Sequence, residues 1–263
     1  WNLQATMDSD GDGYTDEQEI GASKSPINPN EKINVDFSTA VDQQISNGAN
    51  DLDSIESHLK LWLDAKNINI NNNVGITNNV TIANWFDLSG NGNSAKQTNT
   101  SMQAKFNNTS DSMVFDGTND AYDIGTNVTY DTSYTVIVVE KRNASKSNNF
   151  FFGQYGDDSA NNNIHLGYRN DTELTLAHFN NDLNANVRET SGTDISVFRF
   201  KKNISPSHFI NYNGPLIKNS NGGDPVVNSG HNIIGAFRSL SGSTVTNFNY
   251  NGEIKEILVF DTN

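Results

Sequence analysis

The densest β-branched run in the chain lies within Tyr134 to Glu140, with the sequence Tyr-Thr-Val-Ile-Val-Val-Glu. β-branched residues restrict the χ1 torsion and pack well on a pleated surface. A short run that is continuously apolar, rather than alternating, is typical of a strand covered on both faces. Turn-forming residues lie before it, at 127–133, and after it, at 143–149. We therefore predict an inner strand of a two-sheet sandwich.

Other short apolar segments follow from residue 59 to the C-terminus, separated by clusters of Asn, Gly, Asp and Ser. Many short strands with frequent turn signals indicate an all-β sandwich. The predicted strands cover residues 59–64, 83–87, 112–116, 121–124, 149–153, 163–167, 173–179, 195–200, 208–212, 232–235 and 252–260.

The segment 31–58 is mostly polar and has a different pattern. Val41 and Ile45, and then Leu52, Ile55 and Leu59, fall at helical spacing. They predict one or two short helices, or an irregular cover, that lead into the sandwich. The predicted organisation is therefore an N-terminal segment 1–30, a linker 31–58 and a β domain 59–263.

The composition narrows the classes of partner. The chain of 263 residues has 31 acidic and 17 basic side chains and a formal net charge of −14, which disfavours duplex nucleic acid and anionic membrane surfaces. The absence of Cys excludes a disulfide framework, a thiolate metal site and a Cys nucleophile. No apolar stretch approaches the roughly 20 residues of a membrane span. The chain begins at Trp1 rather than Met, so we expect that a leader or an upstream domain has been removed.

Acidic residues near the N-terminus form the clearest chemical motif. Carboxylates occupy positions 1, 3, 5, 9 and 12 of a twelve-residue loop, and Gly13 at position 6 permits the sharp bend. This is the spacing that winds a chain around a calcium ion, which takes six to eight oxygen ligands; magnesium prefers fewer carboxylates. The alternative is a solvated acidic linker. The predicted ligands are Asp8, Asp10, Asp12, the backbone carbonyl of Tyr14, Asp16 through water, and both oxygens of Glu19.

Two resemblances extend these predictions. The pattern from Met7 to about Asn30, Asp-x-Asp-x-Asp-Gly-x-x-Asp-x-x-Glu-Ile-Gly followed by Pro-x-x-Pro-Asn, resembles a bacterial thrombospondin type 3-like calcium repeat, a connector between extracellular domains. Four further motifs resemble, in order and spacing, a bacterial LamG-like, concanavalin A-like lectin/glucanase domain. They are Leu61-Trp62-Leu63-Asp64-Ala65, Trp85-Phe86-Asp87-Leu88-Ser89-Gly90-Asn91-Gly92-Asn93, Val114-Phe115-Asp116-Gly117-Thr118-Asn119-Asp120, and Gly252-x-Ile254-x-Glu256-Ile257-x-Val259-Phe260.

The second resemblance implies a jelly-roll sandwich of two antiparallel sheets with one concave face. It implies glycan binding, protein adhesion, an enzyme accessory role or a plain spacer as the function. A related branch of the superfamily hydrolyses β-glucans with a carboxylate pair on one strand, which a retaining mechanism needs at about 5–5.5 Å. Glu253 and Glu256 are three apart on the last strand, so we expect them to point to opposite faces. We therefore predict no enzymatic activity.

Other candidate groups have structural alternatives. The five His residues lack metal-binding spacing, although His165 and His178 fall on neighbouring predicted strands. No Gly-x-Ser-x-Gly nucleophile motif is present. Trp62 and Trp85 fall in apolar strand signals, which favours core positions.

Asp116, Asn119, Asp120 and Asp123 cluster in one turn and are candidate ligands of a second metal ion. The favoured alternative is a tight turn whose side chains cap backbone amides.

Sugar sites combine an aromatic platform with convergent polar groups. Tyr155 with Asp157 and Asp158, or Tyr168 with Arg169 and Asn170, would supply this combination.

Together these observations predict a non-catalytic, extracellular or cell-surface module that binds calcium and a glycan or surface polymer. A structural subunit or spacer of a surface fibre, which would self-associate through edge strands, is the alternative from another class. An accessory module of a polysaccharide-degrading enzyme is the second alternative.

Overall fold

The structure, a computed structural model, describes residues 55–157, 159–187, 192–220, 230–241 and 244–262. The sandwich belongs to a compact unit that runs from His58 to Asn263. The fold is all-β, as predicted. Its strands are β1 (Leu59–Asp64), β2 (Asn84–Trp85), β3 (Ala95–Lys96), β4 (Lys105–Asn107), β5 (Ser112–Asp116), β6 (Tyr122–Asp123), β7 (Tyr134–Arg142), β8 (Asn149–Asp157), β9 (Ile164–Asn170), β10 (Glu173–His178), β11 (Asp182–Asn186), β12 (Asp194–Phe200), β13 (His208–Tyr212), β14 (Leu216–Ser220), β15 (Asn232–Ile234), β16 (Ala236–Ser241), β17 (Thr244–Asn249) and β18 (Asn251–Phe260).

The described strands form two sheets that pack as a jelly-roll sandwich. The first has the order β14-β13-β12-β7-β18-β5-β4, and β1 also pairs with β18. The second has the order β11-β10-β9-β8-β15-β6-β3-β2, and the β16–β17 hairpin joins it through a parallel pairing of β16 with β8. Two short 3-10 turns, Ala65–Asn67 and Thr100–Met102, interrupt the loops.

Strand β7 lies inside the first sheet, between β12 and β18. The prediction that both of its faces are covered is wrong, because buried positions alternate with half-buried ones along its whole length. Tyr134, Val136 and Val138 face the core, whereas Ile137 and Val139 lie on the outer face. The outer β-branched residues therefore pack against their neighbours on the pleated surface of the sheet, and no second packed layer of described residues covers them fully.

Aromatic rings fill the space between the sheets. Phe151 of the second sheet packs against Phe198 of the first, with ring centroids 5.8 Å apart, and against Tyr250 at 5.7 Å. Trp85 is fully buried, as predicted, and its indole N–H donates to the Asp64 carbonyl at 3.1 Å. The prediction that Trp62 lies in the core is wrong, because its side chain is half-buried on the outer face of the sheet.

A carboxylate, Glu140, also lies inside this core. It accepts hydrogen bonds from the hydroxyl of Tyr168 at 2.5 Å and from the hydroxyl of Tyr250. The Arg142 guanidinium stacks on the Tyr168 ring, 3.8 Å from its centroid. Burial raises the pKa of Glu140 to about 7, although the two tyrosine hydrogen bonds oppose the shift.

Strand β18 carries a bulge at Lys255 that changes the predicted geometry of two glutamates. Glu253 lies opposite Lys141 and Glu256 lies opposite Val139, so both face outward from the sheet. The expectation that they point to opposite faces is wrong, because one extra residue in a strand reverses the alternation beyond it. Among the described residues, no helix is long and apolar enough to cross a membrane.

Candidate functional site

A cavity of about 320 Å³ opens at one end of the sandwich, where four distant parts of the chain meet. They are the start of β1, the loop between β2 and β3, the loop between β6 and β7, and the residue after β18. The volume is at the small end of the range of roughly 300–1,000 Å³ for ligand pockets. The lining residues are Lys60, Asn91, Asn93, Thr126, Asn127, Val128, Tyr130, Thr132 and Asp261.

The first wall is the loop of residues 87–94, which we call the Asp87 loop. The Asp87 carboxylate accepts hydrogen bonds from the backbone N–H groups of Trp62, Ser89 and Asn93, each at 2.9 Å. The amide of Asn93 donates to the Lys60 carbonyl at 2.8 Å. Asp87 therefore organises the loop and fixes it to β1, which holds Asn93 at the cavity.

Glycines give the Asp87 loop its shape. Gly90 and Gly92 have φ angles of +83° and +79°, a region that favours glycine. The Asn91 amide between them donates to the Leu59 carbonyl at 2.7 Å. The alternation of Gly and Asn thus turns the chain tightly while its amide side chains reach back to β1.

The second wall is the loop of residues 125–133, which we call the Tyr130 loop. Asn232 of β15 supports this loop. Its side-chain oxygen accepts from the Val128 backbone N–H at 2.7 Å, and its backbone N–H donates to the Thr126 carbonyl at 2.8 Å. The Thr129 hydroxyl donates to the Asn127 side chain at 2.9 Å. These bonds leave the Tyr130 ring about half exposed at the opening, 49% accessible.

The charges at the cavity cancel locally. The Lys60 ammonium lies 2.9 Å from one oxygen of Asp261, and the His58 ring lies 2.5 Å from the other. Burial alone would raise the pKa of Asp261, but the hydrogen bonds from Lys60 and His58 lower it below its usual value. Asp261 is thus ionised at neutral pH and compensates Lys60.

Several polar groups at the cavity remain available to a ligand. The hydroxyls of Thr126, Tyr130 and Thr132 and the side-chain oxygen of Asn93 make no hydrogen bond to another residue in the part of the chain that the structure describes. An exposed aromatic ring beside hydroxyl and amide groups matches the two faces of a sugar, which are apolar C–H groups and hydroxyls.

The predicted ligand residues on β8 and β9 do not form one platform. Tyr168 points into the core and bonds Glu140, whereas Arg169 points outward, because successive residues of a strand face opposite sides. The expectation that Tyr168 and Arg169 act together on a ligand is therefore wrong. Arg169 instead pairs with Asp182 and contacts the His165 ring nitrogen at 3.0 Å.

Tyr155 is partly exposed on β8, and its partner in the parallel pairing is Arg238. Asp157 ends the same strand, and Asp158 lies outside the described residues. Tyr155 does not line the cavity. A ligand site at Tyr155 and Asp157 stays a prediction.

The turn at Asp116 has the geometry of the capping alternative. The Asp116 carboxylate accepts from the backbone N–H groups of Thr118 at 2.7 Å and Asn119 at 3.3 Å. The Asp120 carboxylate accepts from the Asp116 N–H at 3.0 Å. Among the described residues, no group of three His, Asp or Glu side chains is placed to hold a metal ion. A metal at Asp116, Asn119 and Asp120 stays a prediction.

The two neighbouring histidines face opposite sides of the second sheet. His165 stacks on Phe237, with ring centroids 4.3 Å apart, outside the main core. His178 points inward and contacts the Tyr134 hydroxyl at 2.6 Å. They are therefore not a metal-binding pair.

The outer glutamates of β18 each have donors of their own. Glu253 accepts from the hydroxyls of Ser110 at 2.7 Å and Ser112 at 2.8 Å, and Glu256 accepts from the Trp62 indole at 2.9 Å.

The proposed calcium ligands Asp8, Asp10, Asp12, Tyr14, Asp16 and Glu19 lie outside the described residues. The predicted helices of segment 31–58 also fall there, apart from its last residues. Both expectations stay predictions.

Comparison with models of known families finds no match, and no curated protein matches either. Solved structures do match. A sialidase of Trypanosoma rangeli in complex with sialic acid has a TM-score of 0.52 at 11% identity, over 78% of this chain and 31% of that one. A receptor binding domain has a TM-score of 0.52 at 16% identity, over 80% of this chain and 49% of that one. A CBM40 of a Ruminococcus gnavus sialidase, bound to α2,3-sialyllactose, has a TM-score of 0.47 at 15% identity, over 57% of this chain and 89% of that one. At these identities the likeness shows the fold alone.

Proposed function

We propose that the sandwich is a non-catalytic saccharide-binding module and that the cavity between the Asp87 loop and the Tyr130 loop is its binding site. The observation that carries the proposal is the half-exposed Tyr130 ring beside threonine hydroxyls and the Asn93 side-chain oxygen, which make no hydrogen bond to another described residue. Both loops are fixed by hydrogen bonds from neighbouring strands, so a ligand meets a preformed surface and little ordering is required on binding.

The fold is compatible with this role. The Trypanosoma rangeli sialidase of similar fold was solved with sialic acid, and another protein of similar fold is a receptor binding domain. A single rigid cavity of this size contacts one or two sugar rings, so we expect weak affinity for each site, in the millimolar to micromolar range.

Binding to a panel of immobilised glycans, followed by NMR titration of the labelled protein, tests the proposal. We expect a saccharide to shift the amide signals of the Asp87 loop and the Tyr130 loop. Tyr130→Ala should weaken binding at least about tenfold, or 1.4 kcal/mol, because the stacking surface is lost. If Tyr155→Ala abolishes binding and Tyr130→Ala does not, the site lies on β8 and the proposal is wrong.

We also propose the wider setting that the sequence predicts. The N-terminal twelve-residue loop binds Ca²⁺ through the six ligands from Asp8 to Glu19, and the protein works outside the cell or at the cell surface. In this proposal residues 1–30 act as a thrombospondin type 3-like connector to a LamG-like domain. Isothermal titration with Ca²⁺ tests the metal site: a 1:1 binding event that Asp12→Asn weakens supports it, and no binding at millimolar Ca²⁺ contradicts it.

A further inference from the structure

The charges around the cavity specify the class of saccharide, provided that the proposed function is correct. Two lysines approach the site, and each has an aspartate partner. Lys60 lies 2.9 Å from Asp261, and Lys202 lies 3.1 Å from Asp131, which separates the lining residues Tyr130 and Thr132. Among the described residues, each lysine at this site therefore has its charge compensated by an aspartate.

A sugar carboxylate would meet an unfavourable environment here. A carboxylate binds well where a cation can form a charge-assisted hydrogen bond with it. At this cavity the ligand would have to compete with Asp261 for Lys60, and Asp261 is itself held by His58. The formal net charge of −14 adds a repulsive long-range field.

The remaining groups suit uncharged hydroxyls. The Thr126, Tyr130 and Thr132 hydroxyls both donate and accept, and the Asn93 side-chain oxygen accepts. Such groups can pair with sugar hydroxyls in either direction, whereas an ionised carboxylate only accepts. The hydroxyl and amide groups of the lining and the pairing of the charges therefore both favour an uncharged sugar over one with a carboxylate.

We infer that the cavity selects uncharged saccharides and discriminates against those that carry a carboxylate, such as uronic or sialic acids, because Asp261 already occupies the Lys60 charge that would otherwise bind them. The pair also predicts how specificity can be changed. Removing the Asp261 charge releases Lys60, and removing the Lys60 charge leaves Asp261 to repel an anion.

The experiment compares glucose, galactose and mannose with their uronic acids, which have the same ring and differ by one carboxylate. NMR titrations at pH 7 and constant ionic strength give the affinity of each sugar and show whether the signals of the Tyr130 loop move. We expect the uncharged member of the bound pair to bind about tenfold more tightly than its uronate, which corresponds to about 1.4 kcal/mol.

Two variants move the preference in opposite directions. Asp261→Asn should reduce the preference for the uncharged sugar over its uronate to about twofold or invert it. Lys60→Met should increase this preference beyond the wild-type value. Folding of each variant is checked by its amide spectrum, and either variant alone suffices for the test. Raising the salt concentration to about 0.5 M should weaken the discrimination, since exposed charges are screened.

The outcomes separate this inference from the proposed function. Equal or tighter binding of the uronates at the cavity overturns the inference and leaves saccharide binding intact. Unchanged selectivity in either variant, once its amide spectrum shows that it is folded, also overturns it. If none of the six sugars moves the Tyr130 loop signals, both the inference and the proposed function fail.

Discussion

At the scale of single residues, several side chains do what their type suggests, and others depend on neighbours that the sequence does not reveal. Trp85 is a core residue, as its apolar context predicts. Trp62 of β1 has a similar apolar context, but it lies on the outer face and donates to Glu256. Tyr168 was predicted to face a ligand, but it serves the buried Glu140. The sequence does not reveal this buried carboxylate, because its partners Tyr168 and Tyr250 are 28 and 110 residues away along the chain.

The buried Glu140 makes stability depend on pH. Its pKa is about 7 in the folded protein and about 4.5 when unfolded, so the folded state holds a proton that the unfolded state releases in this window. The contribution is complete below about pH 4.5 and is lost as the pH rises through about 7. A difference of this size corresponds to about 3 kcal/mol.

Glu140→Gln should remove this dependence. Urea unfolding of both proteins from pH 4.5 to 7.5 measures it, and the variant should gain up to about 3 kcal/mol relative to the wild type as the pH rises. Comparing the two proteins cancels the opposite trend of His208, whose pKa burial lowers to about 4 and whose protonation at low pH destabilises the fold. A stability difference that is constant with pH contradicts the prediction.

At the scale of elements, strands rich in apolar residues are predictable, whereas mostly polar strands such as β11 and β14 are not. The predicted bounds of β1, β5 and β13 agree with the structure, because alternating apolar residues and flanking turns define them. The predicted strand at 83–87 contains β2, whereas β3 has only two residues and no period to detect. The sequence gives no signal for the bulge at Lys255 either, although this bulge determines that Glu253 and Glu256 lie on the same face of the sheet.

The turn between β15 and β16 should tolerate no side chain at Gly235. Its φ is +79°, and a Cβ atom there would lie 2.2 Å from Cε1 of the buried Phe115 ring. We expect Gly235→Ala to lower the free energy of unfolding by roughly 3 kcal/mol through backbone strain and a clash. Gly125→Ala is the matched control, since its φ is +73° with nothing within 4 Å, and it should cost only about 1 kcal/mol. Equal losses in chemical denaturation would contradict the steric argument.

The Asp87 loop should lose both stability and function when its central carboxylate is removed. Asp87→Ala leaves three backbone N–H groups without their acceptor and releases Asn93 from its position. We expect a loss of about 2 kcal/mol in stability and weaker saccharide binding in the NMR titration. Ser89→Ala removes hydroxyl hydrogen bonds but keeps the Asp87 carboxylate, so its loss should be about 0.5 kcal/mol with binding retained. Binding by Asp87→Ala at wild-type affinity would show that the loop does not shape the site.

At the scale of the whole molecule, the fold class follows from the repeated short strands, but the cavity does not. Its walls come from residues near 60, 91, 130 and 261, which only the pairing of β1 with β18 and the path of two loops bring together. The density of Asn and Gly at 90–93 marked a turn, and nothing in that signal indicated which surface the turn would complete. Tyr130 has an acid beside it, Asp131, much as Tyr155 has Asp157 nearby, so the local sequence does not distinguish the tyrosine that lines the cavity from the one that does not.

Calcium removal should affect the N-terminal segment and the sandwich differently. If the loop from Asp8 to Glu19 holds the ion, excess chelator should speed proteolysis within residues 1–54, because the carboxylates repel one another without a cation. The melting temperature of the sandwich should change by less than about 2 °C, since none of the proposed ligands belongs to it. Asp12→Asn combined with Glu19→Gln should reproduce the chelated state in the presence of calcium. A single melting transition and a cleavage pattern that chelator leaves unchanged would contradict this.

The antiparallel pairing of β1 with β18 also has a mechanical consequence. Leu59 is the partner of Phe260, so the polypeptide enters and leaves the sandwich side by side, at the end where Lys60 and Asp261 line the cavity. Tension applied through these two points would separate the strands one hydrogen bond at a time, as a zipper opens, rather than shear the whole ladder at once. The cavity would then be the first part of the sandwich to come apart under tension, and a sugar bound there, as we propose, would resist that opening.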